Sequence, residues 1–209
     1  DSVPGVTINR LCASSLQAFN FAASTITSGN ANLLLAGGVE HMAHVPMQAA
    51  TDYHQELLAR YEFPFNNMGL TAEKVAQIYG VSREEQDAYA VASHGKAVTA
   101  QQAGYFSREI LPIPAGDTIA EQDQSPRPGT NIAGLAALKT IFMEDGTVTA
   151  GNSSPLNDGA SLTLLASDAA CEQFALQRRA RVVDFTVVGL DPCQMGMGPV
   201  PAIRKLLQK

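Results

Sequence analysis

The sequence predicts an α/β protein in which helices cover a parallel β-sheet. A β-branched run at residues 6–8 precedes a segment with helical spacing, and the continuous apolar run Leu33-Leu34-Leu35-Ala36 follows that segment. Strand, helix and strand within such a short stretch form a βαβ unit, whose two strands lie parallel in one sheet. The uninterrupted apolar run indicates a strand that is buried on both faces.

The composition is that of a globular chain with an acidic balance. It has 209 residues, of which 45% are hydrophobic and 16% charged, so it can bury a sizeable core. The net charge of −6 argues against a general nucleic-acid surface, and any polyanionic ligand must be held by local basic side chains. The 3 cysteines favour a reducing compartment, the cytoplasm, over a disulfide framework. No apolar run is long enough to span a membrane, and no secretory leader is visible.

Cys12 opens the predicted helix that follows residues 6–8. One face of this helix is apolar and is formed by Leu16, Phe19, Ala23 and Ile26, and Gly29-Asn30 favours a left-handed C-cap. At a helix N-terminus the unpaired N–H groups and the helix dipole favour the thiolate, which is the nucleophilic form of cysteine. A buried structural cysteine fits the same position equally well.

Gly37-Gly38 follows the apolar run at residues 33–36. Two glycines at the end of a strand permit the close approach of another segment or of a ligand. His41 and His44 come next, but no further ligands follow them at a recognisable spacing. Polar packing beside a site is therefore favoured over a zinc site.

A helical, loop-rich insertion is predicted from about Val45. Its first helix has an apolar face and ends at Gly80; that face consists of Ala72, Val75, Ala76 and Tyr79. Ser82-Arg83-Glu84-Glu85 is a capping box, which predicts a second helix to about Ala103. Residues 115–129 are polar and rich in turn formers, which indicates a surface loop, and a short helix with Leu135 and Leu138 follows.

Strand character returns at residues 147–150, 162–166 and 182–189. The first of these runs into Gly151-Asn152-Ser153-Ser154, a turn that offers backbone donors and hydroxyls to a polar ligand. A short helix to about Gln177 follows the second strand. The third leads to a helix with Pro199 at its start.

Several of these stretches resemble the thiolase family, whose members cleave or form 3-ketoacyl-CoA thioesters. They are Asn-Arg-Leu-Cys-Ala-Ser-Ser at 9–15, Gly-Gly-Val-Glu-His-Met-Ala-His-Val-Pro-Met at 37–47, Met-Gly-Leu-Thr-Ala-Glu at 68–73, Ser-Arg-Glu-Glu-Gln-Asp-Ala-Tyr-Ala at 82–90, Thr-Ala-Gly-Asn-Ser-Ser at 149–154 and Met-Gly-Met-Gly-Pro at 195–199. They cover the chain in order. The resemblance is closest to bacterial, fatty-acid-degrading 3-ketoacyl-CoA thiolases.

The resemblance implies a layered α/β/α/β/α fold of two similar halves with an inserted helical loop domain. Residues 1–44 would end the N-terminal half and carry the nucleophile, and residues 45–149 would form the loop domain. Residues 150–178 would return to the N-terminal half, and residues 179–209 would start the C-terminal half. The chain is thus expected to be a fragment that lacks both ends.

The resemblance also implies roles for individual residues. Cys12 would attack 3-ketoacyl-CoA and carry the acyl group during thiolysis in fatty-acid β-oxidation, with coenzyme A as substrate and no cofactor or metal. The implied substrate- and CoA-binding residues are Met68 near the substrate, Arg127 at the nucleotide, Ala150, Ser154 at the pantetheine and Met195 at the acyl pocket. Gly134 stands where some members have a CoA-contacting serine. Two alternatives stay open, since Met68 is also a suitable core filler and Arg127 a suitable solvated loop residue.

Three groups that thiolases use for proton transfer and oxyanion binding have no counterpart in this sequence. They are a histidine in Gly-His-Pro, a second cysteine in a glycine-rich stretch and an asparagine in Asn-Glu-Ala. The chain on its own is therefore expected to be poorly soluble and inactive. The rival readings are an acetoacetyl-CoA-forming biosynthetic thiolase, a non-catalytic remnant that binds CoA or a partner, and a cysteine hydrolase that pairs Cys12 with a histidine.

The resemblance implies partners as well. Thiolases dimerise through the strand before the nucleophile, here residues 6–8, and an open strand edge favours such pairing. A homodimer or tetramer is expected, with a hydratase/dehydrogenase subunit as a further candidate partner. No nucleic acid and no membrane span are expected.

Overall fold

The computed structural model describes residues 2–47, 49, 51–61 and 64–209. Positions 1, 48, 50, 62 and 63, which belong to the predicted ranges 1–44 and 45–149, lie outside the described residues. The α-helices are α1 (Ser14–Thr27), α2 (Gln55–Arg60), α3 (Met68–Tyr79), α4 (Arg83–Gln102), α5 (Ile132–Ala136), α6 (Asp168–Gln173) and α7 (Pro199–Leu207). The strands are β1 (Leu33–Glu40), β2 (Ile113–Ala115), β3 (Thr118–Ala120) and β4 (Gly159–Ala166), and 3-10 helices span Leu11–Ala13, Tyr105–Arg108 and Pro192–Met197.

The chain divides into two compact units. Unit 1 comprises Asp1–Asp52, Leu156–Val187 and Ala202–Lys209, and unit 2 comprises Tyr53–Pro155 and Val188–Pro201. Among the described residues, no helix combines the length and the apolar character that crossing a membrane requires.

Unit 1 is built on an antiparallel pair of strands covered by α1. β1 pairs with β4 in a register that runs from Leu33 opposite Ala166 to Glu40 opposite Gly159. The buried core between this pair and α1 consists of Ala22, Ala23, Ala36 and Leu165. The predicted helix after Cys12 is confirmed, and it ends as predicted at Gly29, whose φ is +77°.

The predicted parallel sheet is wrong for the described residues, in which both ladders are antiparallel. Residues 6–8, which were to form the first parallel strand, belong to neither ladder, and Val6 is exposed. The prediction that residues 33–36 are buried on both faces is also wrong, because Ala36 is 6% exposed and Leu35 is 63% exposed. The strand therefore buries the alternate side chains that face α1 and exposes the others.

Two further expectations for unit 1 are corrected. Residues 182–189 form no strand. Two lysines bond to part of this segment: Lys205 of α7 donates from Nζ to the Val187 carbonyl at 3.2 Å, and Lys209, just after α7, donates from Nζ to Asp184 Oδ1 at 2.9 Å. The bond from Lys209 lowers the pKa of Asp184 below its ordinary value. Leu16, predicted on the apolar face of α1, is exposed instead.

The helix boundaries predicted in unit 2 are confirmed. α3 ends at Gly80, which is left-handed with a φ of +65°. Ser82 and Glu85 form a reciprocal capping box that starts α4, and Gly104 lies just beyond its C-terminal cap. α7 begins at Pro199 as predicted.

The buried face of α3 differs from the predicted one. Ala72 and Tyr79 are exposed, whereas Thr71 and Glu73 are each only 2% exposed. Both oxygens of Glu73 accept hydrogen bonds from the Thr147 N–H, and Oε1 also accepts from the Val148 N–H at 2.8 Å. A carboxylate whose lone pairs are used in this way can be buried without the penalty of an unpaired charge.

Other parts of unit 2 depart from the predictions in detail. The surface loop predicted at residues 115–129 contains the hairpin strand β3, which pairs with β2. Residues 147–150 make an isolated bridge between Thr149 and Thr140 in place of the predicted strand. The short helix around Leu135 is confirmed as α5, and Leu135 is buried.

Replacing Glu73 by glutamine tests whether its buried carboxylate stabilises unit 2. An amide nitrogen in place of one oxygen would face the N–H groups that Glu73 now binds, so Glu73→Gln should lower the free energy of unfolding by about 2 kcal/mol. Glu144→Gln is the matched control, because Glu144 is exposed, and it should change the value by less than about 0.5 kcal/mol. Denaturant unfolding of the complete protein measures the free energy of unfolding of both variants. Equal changes in the two would show that the buried Glu73 carboxylate does not stabilise unit 2.

Candidate active site

Cys12 lies at the surface in the 3-10 turn Leu11–Ala13 that runs directly into α1. Side-chain bonds on both sides fix this turn. The Leu11 N–H donates to Asn9 Oδ1 at 2.8 Å, and the Arg10 N–H donates to Ser14 Oγ at 2.8 Å. Cys12 is thus an accessible thiol held at the N-terminal end of a helix, where an anion is favoured.

The backbone of Leu11 is strained. Its φ is +51°, a left-handed conformation that costs an L-residue with a side chain on the order of 1–2 kcal/mol. The hydroxyl of Ser14 donates to the Leu11 carbonyl at 2.7 Å and helps to hold the conformation. A strained backbone conformation persists only where surrounding bonds maintain it. Such conformations cluster at functional sites.

The two glycines of β1 permit close packing, as predicted, although they lie inside the strand. A Cβ on Gly38 would lie 2.9 Å from Ser15 Cβ, at the start of α1. A Cβ on Gly37 would collide with the Ser161 carbonyl on β4. The absence of a side chain at Gly38 lets the first turn of α1 rest directly on the sheet, and its absence at Gly37 avoids a clash with β4.

His41 and His44 pack against each other beyond the end of β1. Their rings stack with centroids 5.3 Å apart, and His41 Nε2 lies 3.4 Å from Asp158 Oδ2. The other oxygen of Asp158 accepts from the Ala43 N–H at 3.2 Å. Among the described residues, no group of three or more His, Cys, Asp or Glu side chains is arranged to hold a metal ion.

The remaining candidate residues belong to unit 2, whereas Cys12 belongs to unit 1. All of them are exposed; they are Met68, Arg127, Ala150, Ser154 and Met195. Met68 begins α3 and is 46% exposed among the described residues. Met195 lies in the 3-10 helix Pro192–Met197 and is 45% exposed. Gly134, at the position of a serine in some thiolases, lies in α5.

A hydrogen bond from α4 anchors the loop that carries Arg127. The Arg127 N–H donates to His94 Nδ1 at 3.2 Å, and the Arg127 carbonyl accepts from Thr130 Oγ1 at 2.9 Å. The loop and α4 border a shallow depression of about 300 Å³, whose lining includes Val98 and Gln102. The backbone of the loop is therefore fixed, while the Arg127 guanidinium remains open to solvent.

The turn between Ala150 and Ser154 is held from below by buried polar groups. Asn152 Oδ1 accepts from the Thr149 N–H at 2.8 Å, and its Nδ2 donates to the Thr147 carbonyl at 2.9 Å and to Asp87 Oδ1 at 3.1 Å. Asp87 is 2% exposed, and its other oxygen accepts from Arg83 Nε at 2.8 Å.

Sequence reasoning missed Glu73, Asp87 and Asn152 as determinants of this turn. The spacing of Arg83 and Asp87, one helical turn apart on α4, is a recognisable signal for an ion pair. Nothing in the pattern around Glu73 indicates burial, because glutamate is rarely buried without a partner and its partners here, two backbone N–H groups and the Thr147 hydroxyl, are distant in sequence.

The cysteines differ in environment. Cys12 is exposed, Cys171 is half-buried and Cys193 is buried. Burial raises the pKa of the Cys193 thiol, and the nearby Asp191 carboxylate raises it further. The Cys12 thiol is thus the most accessible of the three among the described residues.

Comparison with known proteins places these features in a family context. The family model described as "Thiolase, N-terminal domain" matches residues 1–169. A 3-ketoacyl-CoA thiolase of Cronobacter sakazakii is 46% identical over 214 aligned positions, covering 100% of this chain and 55% of that protein. A 3-ketoacyl-CoA thiolase of Escherichia coli O139:H28 is 47% identical with the same coverage. The chain thus spans about half the length of the curated relatives it matches.

Solved structures give the same result. The dimeric peroxisomal thiolase of Saccharomyces cerevisiae aligns with a TM-score of 0.85 and 37% identity over 97% of this chain and 53% of its own. An acetyl-CoA acetyltransferase of Bacillus anthracis aligns with a TM-score of 0.79 and 39% identity over 98% of this chain and 56% of its own. These likenesses confirm the predicted fold class, an α/β fold of the thiolase type.

Alkylation tests the environments of the three thiols. At neutral pH iodoacetamide should label Cys12 first, because it is exposed at a helix start, and Cys193 last, because burial and a raised pKa leave little thiolate. Raising the pH should reduce the difference between the labelling rates of Cys12 and Cys193, since the Cys193 thiol then ionises. Peptide mass mapping of the folded complete protein over time measures the order. Equal rates for all three, or faster labelling of Cys193, would contradict the prediction.

Proposed function

The chain belongs to the thiolase family, and from this premise we propose that it is the nucleophile-bearing part of a 3-ketoacyl-CoA thiolase. The observation that carries the proposal is the accessible Cys12 on a strained turn at the start of α1. A reactive thiol must be accessible, and Cys12 is exposed directly before the start of α1.

The proposed reaction has two steps. The Cys12 thiolate attacks the 3-keto carbonyl of the substrate, and the bond between carbons 2 and 3 breaks. Its electron pair stays on the fragment attached to CoA, which takes up a proton and leaves as acetyl-CoA. The thiol of a second CoA then attacks the acyl-Cys12 thioester, which yields the shortened acyl-CoA and returns Cys12. A proton donor and an oxyanion site must assist the first step.

The CoA-binding part of the proposal concerns unit 2. Arg127 supplies a cation to the CoA nucleotide, and its exposed guanidinium on a fixed loop suits that role. Ala150 and Ser154 contact the pantetheine with backbone and hydroxyl groups, while Met68 and Met195 offer exposed apolar surface to the acyl part.

A biosynthetic, acetoacetyl-CoA-forming thiolase is the second candidate. The likeness to the acetyl-CoA acetyltransferase of Bacillus anthracis favours it, at 39% identity. The stretch at residues 37–47 resembles degradative thiolases more closely and favours the first candidate. A kcat/KM on 3-ketodecanoyl-CoA above that on acetoacetyl-CoA would support degradation, and the reverse order would support synthesis.

The proposal extends to assembly and location. The Saccharomyces cerevisiae thiolase is named as dimeric, and residues 6–8, free of any ladder among the described residues, are the segment proposed to pair with a second copy. A tetramer and a hydratase/dehydrogenase subunit are further proposed partners.

Free cysteines suit a reducing compartment, which supports a cytoplasmic location. The domain ranges 1–44, 45–149, 150–178 and 179–209 remain proposals.

Trapping the acyl intermediate tests the function. The complete protein, mixed with 3-ketodecanoyl-CoA in the absence of free CoA, should release one equivalent of acetyl-CoA and retain an acyl group on the Cys12 peptide, because the second step cannot proceed. Cys12→Ala should show neither, whereas Cys171→Ala should behave as the wild type. Mass spectrometry detects the adduct, and acylation of another residue, or none, would refute the proposal.

The 209-residue chain by itself should not turn over 3-ketoacyl-CoA. It has no Gly-His-Pro or Asn-Glu-Ala stretch, and general acid–base assistance is typically worth ~10²–10⁴-fold in rate. The purified chain should also lack a cooperative thermal transition, since large apolar side chains such as Leu35 and Leu162 are exposed. An assay of acetyl-CoA release measures turnover, and a melting curve measures the thermal transition. Steady turnover would reveal an acid–base group within these residues.

A further inference from the structure

We propose that Asn152 is a positioning residue that fixes the turn between Ala150 and Ser154 and thereby sets the affinity for CoA; this inference rests on the proposed function. Asn152 is half-buried, and its side chain points back into unit 2, where it bonds to buried groups. Its effect on CoA is exerted through the backbone of its neighbours.

The side chain of Asn152 closes the turn on both sides. Its oxygen accepts from the Thr149 N–H at 2.8 Å, while its amide nitrogen donates to the Thr147 carbonyl at 2.9 Å. These bonds pull residues 147 and 149 towards residue 152 and leave Ser153 and Ser154 to emerge outward, where both are exposed. The Asn152 side chain thus contributes to the direction in which the chain leaves the turn.

The turn is attached to the buried interior at separate points. The second hydrogen of the Asn152 amide goes to Asp87 Oδ1 on α4 at 3.1 Å, and Arg83 orients that carboxylate from the same helix. Thr147 is bound independently by Glu73 on α3, through its N–H at 2.8 Å and its hydroxyl at 2.9 Å. Asp87 and Glu73 are each 2% exposed, so the anchors are shielded from water and correspondingly strong.

Packing leaves the turn little room to adopt another shape. Thr149 is fully buried, and its hydroxyl accepts from the Gly151 N–H at 3.2 Å. A Cβ on Gly151 would lie 2.5 Å from Leu135 Cδ2 and 2.6 Å from Leu138 Cδ1, so the backbone rests directly on these leucines. The turn is preorganised, and a ligand bound by residues 150 and 154 would not bear the cost of ordering it.

This arrangement predicts where a defect would be seen. If Asn152 only stabilised the fold, its loss would lower the melting temperature and leave CoA binding by the folded protein unchanged. If it positions the turn, its loss raises KM for CoA in the folded protein, while kcat, which reflects chemistry at Cys12, changes little.

The test replaces Asn152 by aspartate in the complete protein. Asn152→Asp keeps the size and the acceptor for Thr149 but removes both donors and places a carboxylate against Asp87. KM for CoA in thiolysis should rise about tenfold, with kcat within about twofold of the wild type. Asn30→Asp is the matched control: Asn30 is exposed in unit 1, where its amide bonds to Ser28 Oγ, and both constants should stay unchanged.

Each outcome decides the matter. An unchanged KM for CoA in folded Asn152→Asp overturns the positioning role, even if its melting temperature falls. If this variant does not fold, Thr149→Val takes its place, because it keeps the buried shape and loses only the acceptor for Gly151; an expected rise of about threefold in KM supports the role, and no rise overturns it. A wild-type protein that neither binds CoA by calorimetry nor turns over 3-ketoacyl-CoA overturns the proposed function itself.

Discussion

The bonding of the buried Glu73 carboxylate to the backbone at Thr147 and Val148 is the constraint on which unit 2 depends. A segment without regular secondary structure can enter a protein interior only if its N–H groups find acceptors. Here a helix side chain supplies them, and Asp87 acts in the same way through Asn152. Because the carboxylates sit on α3 and α4, the position of residues 147–152 is set by two helices that other bonds and caps hold rigid.

Unit 1 relies on steric fit in place of buried charge. β1 carries Gly37 and Gly38 where β4 and α1 come too close for any side chain. That contact sets the height of the first turn of α1 above the sheet, immediately after the strained Leu11. Core packing and backbone strain therefore meet at the turn that presents Cys12, since the packing of α1 fixes one end of the strained segment and local side-chain bonds fix the other.

Local signals in the sequence predicted the helices well. The capping box at Ser82, the left-handed caps at Gly29 and Gly80, and Pro199 at a helix start depend on neighbouring residues alone, and all are confirmed. Strand pairing was less accessible, because β1 pairs with β4 across more than half of the chain and nothing in either strand encodes its direction. The exposed position of Cys12 agrees with its predicted reactivity. The hydrogen bond between Asn152 and Asp87, by contrast, joins residues far apart in sequence and cannot be predicted from hydrophobic periodicity.

The charge of the chain restricts how a CoA ligand could be held. With a net charge of −6, the overall field opposes the approach of the CoA phosphates, so attraction must come from local cations. A flexible arginine would lose side-chain and loop entropy on binding, which is why the anchoring of the Arg127 backbone by His94 matters. Bonds from buried groups also fix the turn before Ser154. Two loops of unit 2 thus share one property, a backbone held by hydrogen bonds and side chains left open to solvent, which would lower the entropic cost of binding the proposed CoA thioester.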